Sequence, residues 1–215
     1  MAALRLLFMV TWAAWIWLEL VAVLGPTLLD RLRGRGQPQD AGSVVVLLVG
    51  AGVGFLIAIR LARLSLGALP GPPVVYLATG LALMWLGLGL RAWAIHHLRD
   101  LFRAVVVIQR RRYPPTQRSD VLGSAYAVDT GAAHRLVTTG PYRRVRHPSY
   151  TGALLAAVGF GVALGHWTSL LAVAAGWLPG IAYRIRIEEA ALRRAFGPAY
   201  EEYALRTRRL IPWLY

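Results

Sequence analysis

Residues Tyr150–Arg184 read YTGALLAAVGFGVALGHWTSLLAVAAGWLPGIAYR, about 35 residues with no charged side chain before the terminal arginine. One helix of that length would be roughly 50 Å long, well beyond the hydrocarbon core of a bilayer at about 30 Å. The run is interrupted at Gly165-His166-Trp167, so it reads as two helices in a tight hairpin. Upstream lie three further apolar stretches, at about Leu4–Leu24, Ser43–Leu61 and Val74–Ile95. The first closes at Gly25-Pro26, a pair expected to stop a helix, and it is too long for the apolar region of a cleaved signal peptide. The expected fold is all-α integral membrane, with about five transmembrane helices, a helical hairpin towards the C-terminal end and an amphipathic cytoplasmic tail. The tail, Arg186 to Tyr215, repeats Leu192, Phe196, Tyr200 and Tyr203 at helical spacing and should lie on the membrane surface.

Composition supports this reading and removes several chemistries. Hydrophobic residues make up 57% of the 215, mean hydropathy is +0.50, and the net charge of +14 is carried by arginine alone. Without lysine there is no Schiff-base or P-loop mechanism; without cysteine there is no disulfide, thiolate nucleophile or thiolate-held metal. The arginines sit beside apolar spans, a pattern of cytoplasmic anchors facing anionic lipid, so nucleic acid is not an expected partner. Five crossings put Arg31 to Arg35, Arg99 to Arg146 and the tail on one side, the cytoplasmic one. Residues 1–95 then form three N-terminal membrane helices, and 96–215 a second region containing the hairpin 150–184 and the tail. The lack of lysine, asparagine and cysteine points to a biased, GC-rich genome and a bacterial cytoplasmic membrane.

Two polar constellations flank the hairpin. The first is HRLVTTGPYRRVRHPSY, His134 to Tyr150: a turn at Gly140-Pro141-Tyr142, a basic connector through Arg146 and His147, and a helix opened by Pro148. Proline suits a first helical turn because its missing N–H would have no intrahelical partner there. In the second, Arg184 and Glu188 stand four apart on one helix face, with Glu189 beside them and Phe196, Tyr200 and Tyr203 following. Carboxylates near hydrocarbon are costly, which makes Glu188-Glu189 a functional candidate rather than decoration.

Together, in this order, the two blocks resemble the isoprenylcysteine carboxyl methyltransferases and their relatives among the membrane phospholipid methyltransferases, over roughly His134 to Pro212. The resemblance implies a small helical bundle whose cytoplasmic end and C-terminal segment enclose S-adenosylmethionine, converted to S-adenosylhomocysteine, with a prenylated or otherwise lipophilic substrate entering from the bilayer. It places the cofactor on His134, Leu136, Val137, Gly140, Tyr142, His147, Pro148 and Tyr150, with Glu189 taking one of its polar groups. Arg184 is the expected clamp on a substrate carboxylate through two parallel contacts, with Glu188 fixing the guanidinium and Arg146 as the next candidate. No metal is expected, since no second His or carboxylate stands at ligand spacing beside His147. The segment between Ile108 and His134 is longer than the linker expected of that family and leaves substrate identity open. A lipid-amine N-methyltransferase of the same fold is the near alternative; a non-enzymatic scaffold or transporter subunit is the remote one.

Overall fold

In a computed structural model, residues 1–32, 41–98 and 136–211 are described. Six α-helices follow in chain order: α1 (Ala2–Leu32), α2 (Ala41–Arg63), α3 (Pro73–Leu98), α4 (Pro148–Ala163), α5 (Trp167–Phe196) and α6 (Pro198–Arg206), with a short 3-10 helix at Gly140–Arg143 before α4. Among the described residues the only extended pairings are two isolated bridges. Among these residues four stretches are long and apolar enough to cross a membrane: Ala2–Leu20, Gly42–Arg63, Pro73–Leu98 and Trp167–Phe196. The protein is thus an all-α integral membrane protein. The fifth expected crossing, α4, has only 16 residues, or about 24 Å of helix.

The hairpin breaks where the sequence places the break, with Gly165 at φ +69° between α4 and α5. Two boundaries differ from expectation. The first helix does not end at Gly25-Pro26 but continues to Leu32. A proline inside a helix removes a single backbone bond, and next to hydrocarbon an intact helix is the least costly way to satisfy the rest. For the same reason α5 carries Pro179 internally and runs unbroken through Arg184 to Phe196, so the segment after Arg186 begins as a continuation of the last span. The apolar patch Leu101–Ile108, the segment 109–133 and His134 lie outside the described residues.

Helix pairing follows from where side chains are missing. Helix α3 packs along α4, and α2 along α5. A Cβ added at Gly80 would lie 2.5 Å from the Gly159 carbonyl oxygen, and one at Gly87 would lie 2.5 Å from that of Gly152. The α2–α5 seam is built alike, with a Cβ at Gly50 falling 2.6 Å from the Gly176 carbonyl oxygen. Lipid tails are as apolar as leucine, so burial offers no gain to helix association in a bilayer; close backbone approach and dispersion take its place. Helix α1 is held differently, by aromatic contacts. Trp15 stacks on Trp177 at 5.4 Å, Phe8 on Phe160 at 5.5 Å, and Phe55 meets Phe160 edge-on at 4.6 Å, which makes one core shared by α1, α2, α4 and α5. At the hairpin tip the turn is sewn to the α2–α3 loop by Leu69 N–H donating to Gly165 and Trp167 N–H donating to Gly67, at 2.9 and 3.0 Å.

The seam makes a paired prediction within α3. Gly87→Ala should lower stability by about 1–3 kcal/mol through overpacking. Gly89→Ala, where an added Cβ has no neighbour within 4 Å among the described residues, should be neutral or stabilising by roughly 0.5–1 kcal/mol. Thermal unfolding in detergent checks both, and indistinguishable shifts would refute a backbone-to-backbone contact at Gly87.

Candidate functional site

The site forms where the start of α4 meets the charged end of α5. Pro148 occupies the first turn of α4 and His147 caps it. Just upstream, Gly140 opens the 3-10 turn at φ +59°, with the His97 ring packed where a side chain would project, so only glycine fits that turn without strain. The turn delivers Tyr142 into the interior, where its hydroxyl approaches the Ala94 carbonyl at 3.4 Å and its own carbonyl accepts from the Tyr203 hydroxyl at 2.7 Å. Burial pushes the Tyr142 phenol well above its ordinary pKa and that of Tyr203 up to about 12, so both remain protonated at neutral pH.

In the first turn of α4, the Tyr150 hydroxyl joins Arg184 and Glu188. Arg184 Nε donates to it at 2.8 Å, it donates in turn to Glu188 Oε1, and Arg184 Nη2 closes the triangle on the same carboxylate oxygen at 3.1 Å. The i, i+4 spacing that predicts this ion pair is realised on α5. Helix α2 contributes a third support, since Arg184 Nη1 donates to the buried Ser43 hydroxyl at 3.2 Å. The guanidinium is therefore fixed in plane and orientation by groups from three helices.

Glu189 points the other way and organises the chain end. Its side chain is only 2% exposed, yet Arg146 Nε reaches it at 3.0 Å, Arg209 Nη2 at 3.1 Å and Arg193 Nη2 at 3.5 Å. A buried carboxylate without such partners would be prohibitively costly. Arg146 Nη1 donates onward to the carbonyls of Ala204 and Thr207 at 2.7 and 2.5 Å. The segment after α6 then runs parallel to the connector before α4, with Arg146 N–H to Arg208 at 2.7 Å, His147 N–H to Arg209 at 3.0 Å and Arg208 N–H back to Arg144 at 3.1 Å. His147 sits between the two glutamates, Nδ1 3.4 Å from Glu188 and Nε2 3.6 Å from Glu189. Burial opposes a proton on its ring, but the two carboxylates outweigh burial and raise its pKa above the ordinary value.

Of the residues singled out in sequence, Arg146, His147, Tyr150, Arg184, Glu188 and Glu189 form one continuous polar cluster. Pro148 and Tyr142 are buried beside it, Leu136 and Val137 are half-buried, and Gly140 is exposed. Arg146 is committed to Glu189 and to the backbone of the tail, while Arg184 stands with Tyr150 and Glu188. Sequence reasoning missed Ser43, Arg209 and the pair Glu19–Arg91, whose Arg91 Nη2 and Glu19 Oε2 meet at 2.6 Å. The signal for that pair was present: Glu19 is the acidic residue of the first apolar stretch and Arg91 the charged residue of the third.

Comparison with known proteins places this region in context. Residues 117–199 match the family model for phospholipid methyltransferase. A probable protein-S-isoprenylcysteine O-methyltransferase of Oryza sativa subsp. indica is 41% identical over 81 residues, which cover 38% of this chain and 42% of that protein. Protein-S-isoprenylcysteine O-methyltransferase B of Arabidopsis thaliana is 42% identical over 38% of this chain and 41% of its own length. The Schizosaccharomyces pombe protein-S-isoprenylcysteine O-methyltransferase is 31% identical over 64% and 50%. The matches thus span half or less of these relatives' length. Among solved structures, the eukaryotic intramembrane Ras methyltransferase ICMT superposes with a TM-score of 0.44 at 19% identity, covering 96% of this chain and 65% of that one. The chain resembles the isoprenylcysteine carboxyl methyltransferases, as its two motif blocks indicate.

Two outcomes are expected from the electrostatics. Glu189→Gln leaves Arg146 and Arg209 without their common counter-charge and should cost about 3–5 kcal/mol; limited proteolysis should then cut the segment after α6 faster than in the wild type. For His147, the folded pKa is raised, so its contribution to stability is complete below the unfolded value of about 6.5 and is lost as pH rises through the folded one. The stability advantage of wild type over His147→Gln, followed by thermal unfolding from pH 6 to 9, should therefore shrink with increasing pH. A constant difference would mean that folding leaves the His147 pKa unchanged, and an advantage that grows with pH would mean that the ring is held neutral in the folded protein.

Proposed function

We propose that the protein is a membrane methyltransferase that uses S-adenosylmethionine to methylate the carboxylate of a prenylated or otherwise lipophilic substrate. The observation that carries this reading is the Arg184 guanidinium, held rigidly by Tyr150, Glu188 and Ser43 inside a region that matches a membrane methyltransferase family. A planar guanidinium at the end of a membrane span suits a carboxylate arriving on a lipid tail, because it offers paired donors at fixed angles. The names of the relatives, protein-S-isoprenylcysteine O-methyltransferases, support a prenylated cysteine as the substrate class.

The residues present fit a polar cofactor. The Tyr200 hydroxyl is buried with no hydrogen-bond partner among the described residues, and such an atom seeks polar company. Leu136, Val137, Gly140, Tyr142, Pro148 and Tyr150 would complete its surroundings with His134, and Glu189 is the neighbouring carboxylate. S-adenosylmethionine, when bound, supplies an electrophilic methyl group on a sulfonium. For their part, the protein's groups bind and orient. A carboxylate nucleophile is already ionised at neutral pH, so no general base is required, and alignment becomes the main task of Arg184, Tyr150 and Glu188. An amine substrate is the second reading, favoured by the phospholipid methyltransferase match; it must lose a proton, so it would need a base or a water path that a carboxylate does not. The distribution of arginines supports a site facing the cytoplasm, and the composition supports a bacterial cytoplasmic membrane.

Arg184→Lys keeps the charge but loses the fork, and it should reduce single-turnover methyl transfer by about 30- to 1000-fold, or 2–4 kcal/mol. Glu188→Gln should show a smaller loss, and S-adenosylmethionine affinity, measured by calorimetry in detergent, should stay within about threefold in both. Normal turnover in Arg184→Lys, or a loss explained by collapsed cofactor binding, would remove Arg184 from the role of clamp. Release of methanol from the product by base distinguishes an ester from an N-methyl product.

A further inference from the structure

A buried polar chain runs through the first, third and fourth helices, and its Trp15, Glu19 and Arg91 belong to neither motif block nor to the proposed chemistry. Trp15 Nε1 donates to Glu19 Oε1 at 3.0 Å, Arg91 Nη2 meets Glu19 Oε2 at 2.6 Å, and Arg91 Nη1 donates to both oxygens of Ser149, the carbonyl at 3.1 Å and the hydroxyl at 3.0 Å. The Arg91 and Glu19 side chains are 13% and 11% exposed. An ion pair so placed is a poor source of stability, since desolvation offsets most of its attraction. What it does provide is position. Ser149 is the residue immediately before Tyr150 and two after His147, in the first turn of α4. A backbone gripped there has little freedom to rotate, and the Tyr150 hydroxyl must reach Arg184 and Glu188 together.

We propose that Arg91 is a positioning residue: by holding both oxygens of Ser149 it fixes the first turn of α4, so that Tyr150 completes the Arg184–Glu188 triangle, with Glu19 as the counter-ion that keeps the guanidinium in place. Its consequence for turnover rests on the methyltransferase reading above; its consequence for geometry does not. Lysine at this position would keep the charge but has no planar fork with which to reach Glu19 and Ser149 in parallel. Gly152, one turn further on, presses on the α3 backbone at Arg91 itself, where an added Cβ would come within 2.7 Å of Arg91 N. The grip therefore acts at a point where α3 and α4 already touch.

The test separates position from stability by comparing Arg91→Met with the double variant Glu19→Gln/Arg91→Met in the full chain. The single change strands a buried carboxylate and lowers the melting temperature; the double change removes both charges and should recover most of that loss. Turnover should not follow. Single-turnover methyl transfer from S-adenosylmethionine to a farnesylated N-acetylcysteine should stay roughly 10- to 100-fold below wild type in both variants, as expected when a reacting geometry is misplaced by about an ångström. Cofactor affinity should remain within a few-fold. Glu19→Gln alone, which leaves the Ser149 contacts, should lose much less activity. A second readout needs no activity: with tyrosines labelled by 13C at the ring ζ-carbon and the Tyr150 signal assigned through Tyr150→Phe, that signal should shift in both Arg91→Met variants. Recovery of turnover together with melting temperature, or a Tyr150 signal unmoved in the double variant, would overturn the proposal. If the wild type transfers no methyl group while the Tyr150 signal still responds to Arg91→Met, the methyltransferase reading fails and the positioning role stands.

Discussion

A carboxylate placed beside hydrocarbon has to be neutralised by fixed partners, and Glu189 meets that constraint in a way that shapes the whole cytoplasmic end. Its counter-charges come from three places in the chain: Arg146 before α4, Arg193 one turn along α5, and Arg209 beyond α6. Satisfying one buried charge therefore requires the chain to fold back after Phe196 and lie against the connector before α4. That return brings Leu210 into the core and lets the Thr151 hydroxyl donate to the Leu210 carbonyl at 2.6 Å. The adjacent carboxylate, Glu188, is turned towards Tyr150 and Arg184 instead. Two neighbouring glutamates on one helix thus serve separate tasks, because successive residues on a helix point in directions about 100° apart.

The division between what was legible in the sequence and what was not has a physical basis. The hairpin could be read because length and a glycine-centred break are local properties. The Arg184–Glu188 pair could be read because helical spacing is local too. Proline at the start of α4 and the turn at Gly140 obey equally short-range rules. By contrast, Arg209 reaches Glu189 only through the parallel pairing of two irregular segments, and no periodicity announces that. Ser43 meets Arg184 across 141 positions of sequence, and Glu19 meets Arg91 across 72. The overrun of α1 past Gly25-Pro26 shows a local rule overridden, since the signal for stopping is strong in water and weak where backbone groups have no other partner. For the contacts, what was missing from the sequence reading is the partner that lies far away along the chain.

The two constructions that hold the helices together differ in kind. Glycine seams bring α2 against α5 and α3 against α4 at backbone distance, which fixes their register residue by residue. The aromatic cluster around Phe55, Phe160 and Trp177 holds α1 through large side chains, which spaces that helix outward from the others. Among the described residues, the Glu19–Arg91 pair ties α1 to α3 by charge. The bundle is therefore tightly fixed where α4 and α5 carry the polar cluster, and among the described residues α1 is joined to it by rings and by the Glu19–Arg91 pair.

The pairing of α2 with α5 around the inner pair α3 and α4 is nested like brackets, and this has a consequence for how the chain is made. Synthesis proceeds from the N-terminus, so α2 and α3 enter the bilayer with their glycine faces uncovered and no complementary helix yet in existence. The inner seam is the first that can close, as soon as α4 emerges; the outer one must wait for all of α5. Between those moments the bare glycine stripe of α2 is open to any small-residue surface in the same membrane, including that of a neighbouring nascent chain.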